Sequence, residues 1–388
     1  MDFRLTEDQE AIRKAVRDLA QRRIAPRAAR YDETGEFPWD NVRDMSEMGL
    51  MGLTIAEEYG GAGQDMVSQS ICIEELSRAC SSTGVIFETH LHLCASTIQT
   101  WGNEDQKKRY LPLLASGERL GALGVTEPDA GSDAGSIATR AERTPSGYVL
   151  NGQKRFITNA REASIYVIIA STDPEKKARG LSAFIVNKDQ PGVSFGEPED
   201  KMGIRASVAS DILLENVEVP RENLLAREGE GFKVAMTTLN GGRIGIAAQA
   251  VGIGQHALER ALTYSLQRHQ FDRPISDFQA IQWMLAETAT EIEAARLLYL
   301  RAASLVDQGL SYAKEAAMAK LFASEAAERA TSRAVQIHGG YGYMKEYHVE
   351  RLMRDSKITQ IYEGTSEVMK MVISGALLKE AKTNLGGR

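Results

Sequence analysis

Three cysteines in 388 residues are too few, and too odd in number, to staple a fold. Cys72, Cys80 and Cys94 all lie in the N-terminal third without metal-ligand spacing, so reduced, buried thiols are expected, as in a cytoplasmic protein. Positive charge is also scarce: 46 Lys and Arg stand against 53 Asp and Glu, giving a net charge of −7. A nucleic-acid binder concentrates basic residues on one surface, so that class is set aside, whereas a small anionic ligand at a local basic site is not. No apolar run approaches the roughly 20 residues needed to span a bilayer. The start, Met1-Asp2-Phe3-Arg4-Leu5-Thr6-Glu7-Asp8, is acidic where a secretory or mitochondrial leader is basic. The end, Asn384-Leu385-Gly386-Gly387-Arg388, carries no peroxisomal tripeptide. The expectation is a protein used where it is made, in the cytoplasm. Internal repeats and low-complexity tracts are missing as well.

What is present is 43% apolar residue content and a length beyond the size at which one core keeps growing, so two or three packed regions are expected. Thr6 and Gln9 form a capping box, after which Ile12, Val16, Leu19, Ala20 and Ile24 share one helix face, with Pro26 as the expected stop. Helical patterning continues to about residue 118, broken by the turn cluster Glu57-Glu58-Tyr59-Gly60-Gly61-Ala62-Gly63 and including an amphipathic piece from Asp105 to Leu114. Residues 119–226 change texture to short β-branched runs such as Tyr148-Val149-Leu150, Ile165 to Ala170, Leu181 to Val186 and Ile212-Leu213-Leu214. Beyond Gly231 the chain returns to long Ala-rich helices, Arg243 to Gln267 and Phe278 to Gln308, whose short connections suggest an antiparallel four-helix bundle. The reading is an α+β multi-domain chain: an N-terminal α-helical domain over 1–118, a middle β domain over 119–226 and a C-terminal helical bundle over 227–388.

The segment Ile361-Tyr362-Glu363-Gly364-Thr365-Ser366-Glu367 follows the charge-rich, helix-like run from Glu350 to Lys357. A carboxylate at the mouth of a Gly-Thr-Ser turn can enter a cleft while the following N–H groups face an anion or a carbonyl, which suits a catalytic base. The competing reading is a helix cap, with Ser366 opening the apolar run Val368 to Leu378. Upstream, Leu123-Gly124-Val125-Thr126-Glu127-Pro128-Asp129-Ala130-Gly131-Ser132-Asp133 and Asn151-Gly152-Gln153-Lys154-Arg155-Phe156-Ile157-Thr158-Asn159-Ala160 punctuate the middle region. Further on come Arg268-His269-Gln270-Phe271, Phe278-Gln279 and Gln336-Ile337-His338-Gly339-Gly340-Tyr341-Gly342-Tyr343. In this order, and over essentially the whole chain, these motifs resemble the acyl-CoA dehydrogenase family, most closely its short-chain and branched short-chain members in the segment 241–247.

That resemblance implies a middle domain of β-barrel or sandwich type, FAD as cofactor, a homotetramer, and α,β-dehydrogenation of a short-chain, branched or cyclic acyl-CoA. Glu363 would take the α-proton, flavin N5 would accept the β-hydride, and electrons would pass to an electron-transferring flavoprotein. Leu123, Val125, Thr126, Phe156, Ile157 and Thr158 would line the flavin ring, Phe156 standing where tryptophan is common. Arg268, Phe271, Gln279, Gln336, Gly339 and Gly340 would hold pyrophosphate and adenosine across a subunit boundary, with Asp272 in place of a frequent glycine. Thr365 and Ser366 would close over the dinucleotide, while Ser132, Asn240, Arg243, Tyr362 and Gly364 would meet the substrate. Arg243 read without the family is equally a helix-surface ion pair, Thr126 to Ser132 an ordinary β-turn, and Gly339-Gly340 a helix C-cap. Some members carry the base on an earlier helix, where this chain has Gly242, which cannot act. No metal is expected: His90 and His92 face different directions on a helix and lack an acidic partner, which leaves His92 as a residue bordering the acyl pocket. The alternatives are the reverse enoyl-CoA reductase direction, an oxygen-using oxidase or monooxygenase relative, and a flavin-free binding homologue.

Overall fold

The structure, a computed structural model, describes residues 4–386; the readings placed on Met1 to Phe3 and on Gly387 and Arg388 lie outside them. Helix α1 (Glu7–Leu19) opens on the expected box, the Gln9 N–H donating to Thr6 Oγ1 at 3.2 Å and the Thr6 N–H to Gln9 Oε1 at 3.0 Å. Pro26 does not stop the chain. The backbone widens into a π turn over Ala20–Ile24, tightens into a 3-10 turn over Ala25–Arg27 and resumes as α2 (Ala28–Thr34). Pro26 sits in the first positions of that turn, where no N–H is required, so it re-aims the helix instead of ending it.

Helices α3 (Trp39–Glu47), α4 (Met66–Ala79), α5 (Ser81–Glu88), α6 (Thr97–Trp101) and α7 (Glu104–Ala115) complete the N-terminal region. Nearly all of α4 and the whole of α5 are buried, so these two run through the interior, and a π stretch over Thr89–Ser96 carries α5 towards α6.

The middle region is a mixed eight-stranded sheet of β1 (Gly121–Gly124), β2 (Arg140–Arg143), β3 (Gly147–Thr158), β4 (Ile165–Ser171), β5 (Leu181–Asn187), β6 (Val193–Phe195), β7 (Ala209–Pro220) and β8 (Leu224–Leu225). The order is β6-β7-β3-β2-β4-β5-β8, with β1 also on β4. Every residue of β4 is buried, as its unbroken apolar run requires, and β1 and β2 lie parallel to it. The long antiparallel pair β3 and β7 slips register between Leu150 and Gly152 and again between Lys154 and Ile157. The second irregularity throws Phe156 into the left-handed region, φ 57°, an uncommon conformation for a bulky residue.

The C-terminal region holds α8 (Gly231–Gln267), a two-residue hairpin of β9 (His269–Gln270) and β10 (Arg273–Pro274), then α9 (Gln279–Asp307), α10 (Ala313–His338), α11 (Val349–Lys357) and α12 (Ser366–Gly386). Helix α8 packs on α4, α9 and α10 together, so its buried centre from Gly241 to Gly254 joins the first and third regions in one core. Among the described residues, no helix is long and apolar enough to cross a membrane.

Candidate active site

Glu363 lies in the turn between α11 and α12 with φ 51°, followed by Gly364 at φ 100°. Two cations hold that turn. Arg243, reaching from α8, donates through Nε to the Glu363 carbonyl at 3.4 Å and through a terminal nitrogen to Asn240 Oδ1 at 2.6 Å; Lys320, from α10, donates to the Gly364 carbonyl at 2.6 Å. Both side chains are buried, so Arg243 is not a surface ion pair. Preceding Glu363, the Tyr362 hydroxyl donates to Gln249 Oε1 on α8. The cap reading is revised too: Thr365 Oγ1 accepts the Val368 N–H at 3.3 Å, while Ser366 Oγ is buried without a hydrogen-bond partner among the described residues.

The carboxyl of Glu363 turns into the interior against bare backbone. A Cβ at Gly242 would come within 2.1 Å of Glu363 Oε2, which is shut from solvent and bonded to nothing among the described residues. Burial pushes its pKa up to about 7, against the opposing pull of Glu88, Lys320 and Arg243. The backbone N–H of Glu363 likewise donates to no acceptor among the described residues. A desolvated carboxylate beside an unspent N–H donor is the pairing that proton abstraction next to a carbonyl requires.

Three neighbours were not legible as site residues. Glu88, Lys320 and Gln249 bring charge or hydrogen bonds to the Tyr362–Gly364 turn, and only Glu88 leaves a trace in the sequence, as an acid after the apolar Val85-Ile86-Phe87. His92 does border this region, its Nε2 3.2 Å from the Thr238 carbonyl and close against Gly241. His90 is structural: Nδ1 accepts the Gly121 N–H at 3.1 Å, leaving Nε2–H to face the Met51 and Leu114 carbonyls.

The sequence model of the acyl-CoA dehydrogenase N-terminal domain matches residues 6–118, that of the middle domain residues 122–217, and that of the C-terminal domain residues 229–378. This chain belongs to the acyl-CoA dehydrogenase family. It is 50% identical to a short-chain specific acyl-CoA dehydrogenase of Clostridium acetobutylicum over 98% of this chain and 100% of that one. To an NADH-dependent acryloyl-CoA reductase of Anaerotignum propionicum it is 45% identical over 98% of this chain and 96% of that one. The solved butyryl-CoA dehydrogenase of Megasphaera elsdenii superimposes with a TM-score of 0.96 at 45% identity, covering 97% of this chain and 100% of that one. The family consists of flavin-dependent oxidoreductases.

Acyl-CoA dehydrogenase chemistry needs a flavin, and the residues present fit one. The two loops expected at its ring are tied together: buried Lys154 donates to the Val125 carbonyl at 3.2 Å and to Glu127 Oε1 at 2.7 Å, and the Arg155 N–H donates to the Thr126 carbonyl at 2.8 Å. Around this tie Leu123, Val125 and Ile157 are buried, Thr126 and Thr158 half-buried, and the Phe156 ring 59% exposed with Arg155 stacked on it. Asn159 Oδ1 is a buried acceptor without a partner among the described residues, while its amide donates to the Ile86 carbonyl on α5, joining this loop to the helix that carries Glu88.

Arg268, Gly339 and Gly340 meet at a groove of about 540 Å³, also lined by Tyr264, His338 and Tyr341. Nothing lies within 4 Å of where a Cβ would stand on either glycine, an open cradle for a phosphate group. Gly339, φ 59°, also ends α10, so the capping and binding readings coexist. The groove shares no residue with the Glu363 site. Phe271, Gln279 and Gln336 are exposed at the same end of the helices, and Ser132 is exposed in the loop after β1. Phe271 and Asp272, at φ 54° and 60°, form the two-residue hairpin turn; both positions are left-handed, a conformation that aspartate adopts more readily than most residues. Arg273 stacks on Phe278 at 4.3 Å.

Proposed function

We propose that this protein is an FAD-dependent acyl-CoA dehydrogenase acting on a short-chain, branched or cyclic acyl thioester, with Glu363 as the base that removes the α-proton. The observation that carries the reading is the Glu363 carboxyl itself, buried against the bare backbone of Gly242 and raised to about 7, with no other acid at the alternative position. The flavin, when bound, supplies the hydride acceptor. All other functions fall to the chain. Arg243 and Lys320 hold the turn, the free N–H of Glu363 is the donor for the thioester carbonyl, and Gln249 fixes Tyr362 beside it. Polarising that carbonyl lowers the acidity gap that a carboxylate at neutral pH must otherwise cross. Thr126, Phe156 and Thr158 would meet the ring, Arg268, Gly339 and Gly340 the pyrophosphate, and Ser132 and Asn240 the CoA arm.

An electron-transferring flavoprotein as electron acceptor, a homotetrameric assembly and a cytoplasmic location complete the proposal, each on family resemblance. The acryloyl-CoA reductase relative keeps the direction of the reaction within the test.

The test is anaerobic titration of the purified yellow protein with butyryl, isobutyryl and cyclic acyl-CoAs, alongside Glu363→Gln. Bleaching by one thioester, with turnover in Glu363→Gln down on the order of 10² to 10⁴-fold at unchanged flavin content, is expected. Near-normal turnover in that variant would remove Glu363 as base. Oxidation of the reduced protein only by enoyl-CoA, with no bleaching by any saturated thioester, would make it a reductase, and peroxide release in air an oxidase.

A further inference from the structure

One interior carboxyl has no task in the scheme above. Glu88 ends α5 fully buried, and neither of its carboxyl oxygens has a hydrogen-bond partner among the described protein donors. Two glycines of α8 make room for it. A Cβ at Gly242 would strike Glu363 Oε2, and a Cβ at Gly245, on the same face one turn later, would come within 2.7 Å of Glu88 Cγ and 3.3 Å of its Oε1. Bare backbone at i and i+3 thus seats two carboxyls side by side. The two carboxyls act on each other, and Thr89 and the Tyr362 hydroxyl are further polar neighbours of Glu88.

Among the described residues, no cation is paired with Glu88. On α8, Arg243 is spent on Asn240 and the Glu363 carbonyl; on α10, Lys320 is spent on Gly364; and His92 bonds the Thr238 carbonyl. On α4, Glu74 is paired with Arg296 and Tyr299, and Glu75 with Arg17 and Arg78. Tyr362 is bound to Gln249. A buried carboxylate without a cation is expensive to hold, whereas a carboxylic acid needs a single acceptor for its O–H.

We propose that Glu88 is a positioning residue for the base: a neutral acid that donates its proton in a hydrogen bond to the Glu363 carboxylate, so that the pair holds one proton between them. The proposal rests on Glu363 being the base. The bond fixes the direction of the carboxylate and favours its charged form, which keeps it available near neutral pH. When Glu363 takes the α-proton, the C–H electron pair stays on the thioester as enolate and both carboxyls are neutral, so no further acceptor is required.

The experiment compares Glu88→Gln, Glu88→Leu and Glu363→Gln as holoenzymes, reading kcat/KM against pH, which reports the free enzyme's base. Glu88→Gln keeps an N–H donor and should leave the acidic limb in place. Glu88→Leu removes the donor and should move that limb to higher pH by on the order of one unit. In pH-difference infrared spectra, the wild type should show a protonated-carboxyl carbonyl band above the limb that Glu88→Gln lacks, a readout that holds even if the leucine variant does not fold. A limb that stays put or moves to lower pH in Glu88→Leu, or a wild type without that band, overturns the proposal. If Glu363→Gln keeps its turnover, the base assignment itself has failed; if it is inactive while the Glu88 results are negative, only the role of Glu88 falls.

Discussion

A methyl group on Gly242 would lie within 2.1 Å of Glu363 Oε2 and 3.1 Å of Leu93 Cδ2, so the Glu363 carboxyl must move if the methyl is to fit. Glycine in a helix interior costs about 1 kcal/mol relative to alanine, and Gly242→Ala should therefore fold and keep its cofactor. Its turnover should fall by at least about 10²-fold, since a small misplacement of a catalytic group has that effect. A Gly242→Ala enzyme of normal activity would mean that the carboxyl works from another position. The pH profile follows from the same contact. As the proposed base Glu363 would act as carboxylate, and its pKa is raised to about 7, so kcat/KM should be level above that pH and decline as pH falls through it. A profile still level at pH 5 would require a base of ordinary acidity. The turn that carries Glu363 was legible because Tyr-Glu-Gly-Thr is a local pattern. Gly242 was legible only as a missing acid, and its use as a seat for the Glu363 carboxyl depends on the turn between α11 and α12 returning to α8, a contact 121 residues away in sequence. Glu88 was not legible, because one acid near a helix end reads the same whether it is solvated or buried.

Between elements, the buried pair Lys154 and Glu127 locks the loop after β1 to the bulge of β3. Glu127 also accepts the Ala138 N–H at 2.6 Å and the Thr139 N–H at 3.0 Å, so one carboxylate joins three segments of the sheet region. Burial works against the charge of Glu127, but Lys154 and these donors outweigh it and hold the carboxyl below its ordinary range. Its stabilising effect is therefore present above the unfolded carboxylate pKa and is lost as pH falls through the folded one. Glu127→Ala leaves Lys154 buried without its partner, and a loss of about 3–5 kcal/mol is expected, read by denaturant unfolding with loss of bound flavin. A drop under 1 kcal/mol would mean that the loops are tied by other contacts. At this scale the sequence served well where periodicity is strong: α7 and α9 lie within about one residue of their expected spans, and α8 ends at Gln267 as expected but starts at Gly231, well before the expected Arg243. It served poorly where backbone geometry is irregular. Pro26 bends a helix it was expected to end, and the slip that exposes Phe156 has no residue signature, because register is decided by the partner strand β7.

The whole molecule exposes more surface than a chain of its size needs. A 42.5 kDa monomer is expected to show about 15,000 Å² by the usual scaling, yet this one shows 17938 Å². Part of the excess is apolar and concentrated where α8 stops, the hairpin turns and α9 begins: Leu266 is 62% exposed, Phe271 86% and Trp283 60%. Tyr343, 79% exposed, follows the Arg268 groove on the segment after α10. Apolar exposure of this kind is what the proposed assembly would cover, and here it lies at the same end of the helices as the cradle proposed for the dinucleotide. Assembly and cofactor retention should then be coupled, because a partner covering this end would also close the groove. Sedimentation of the wild type should give a tetramer, and Trp283→Asp, which places a charge in the contact, should give smaller species that release flavin on dilution. A wild type that sediments as a monomer with a full complement of flavin would separate the two properties and leave the groove complete within one chain.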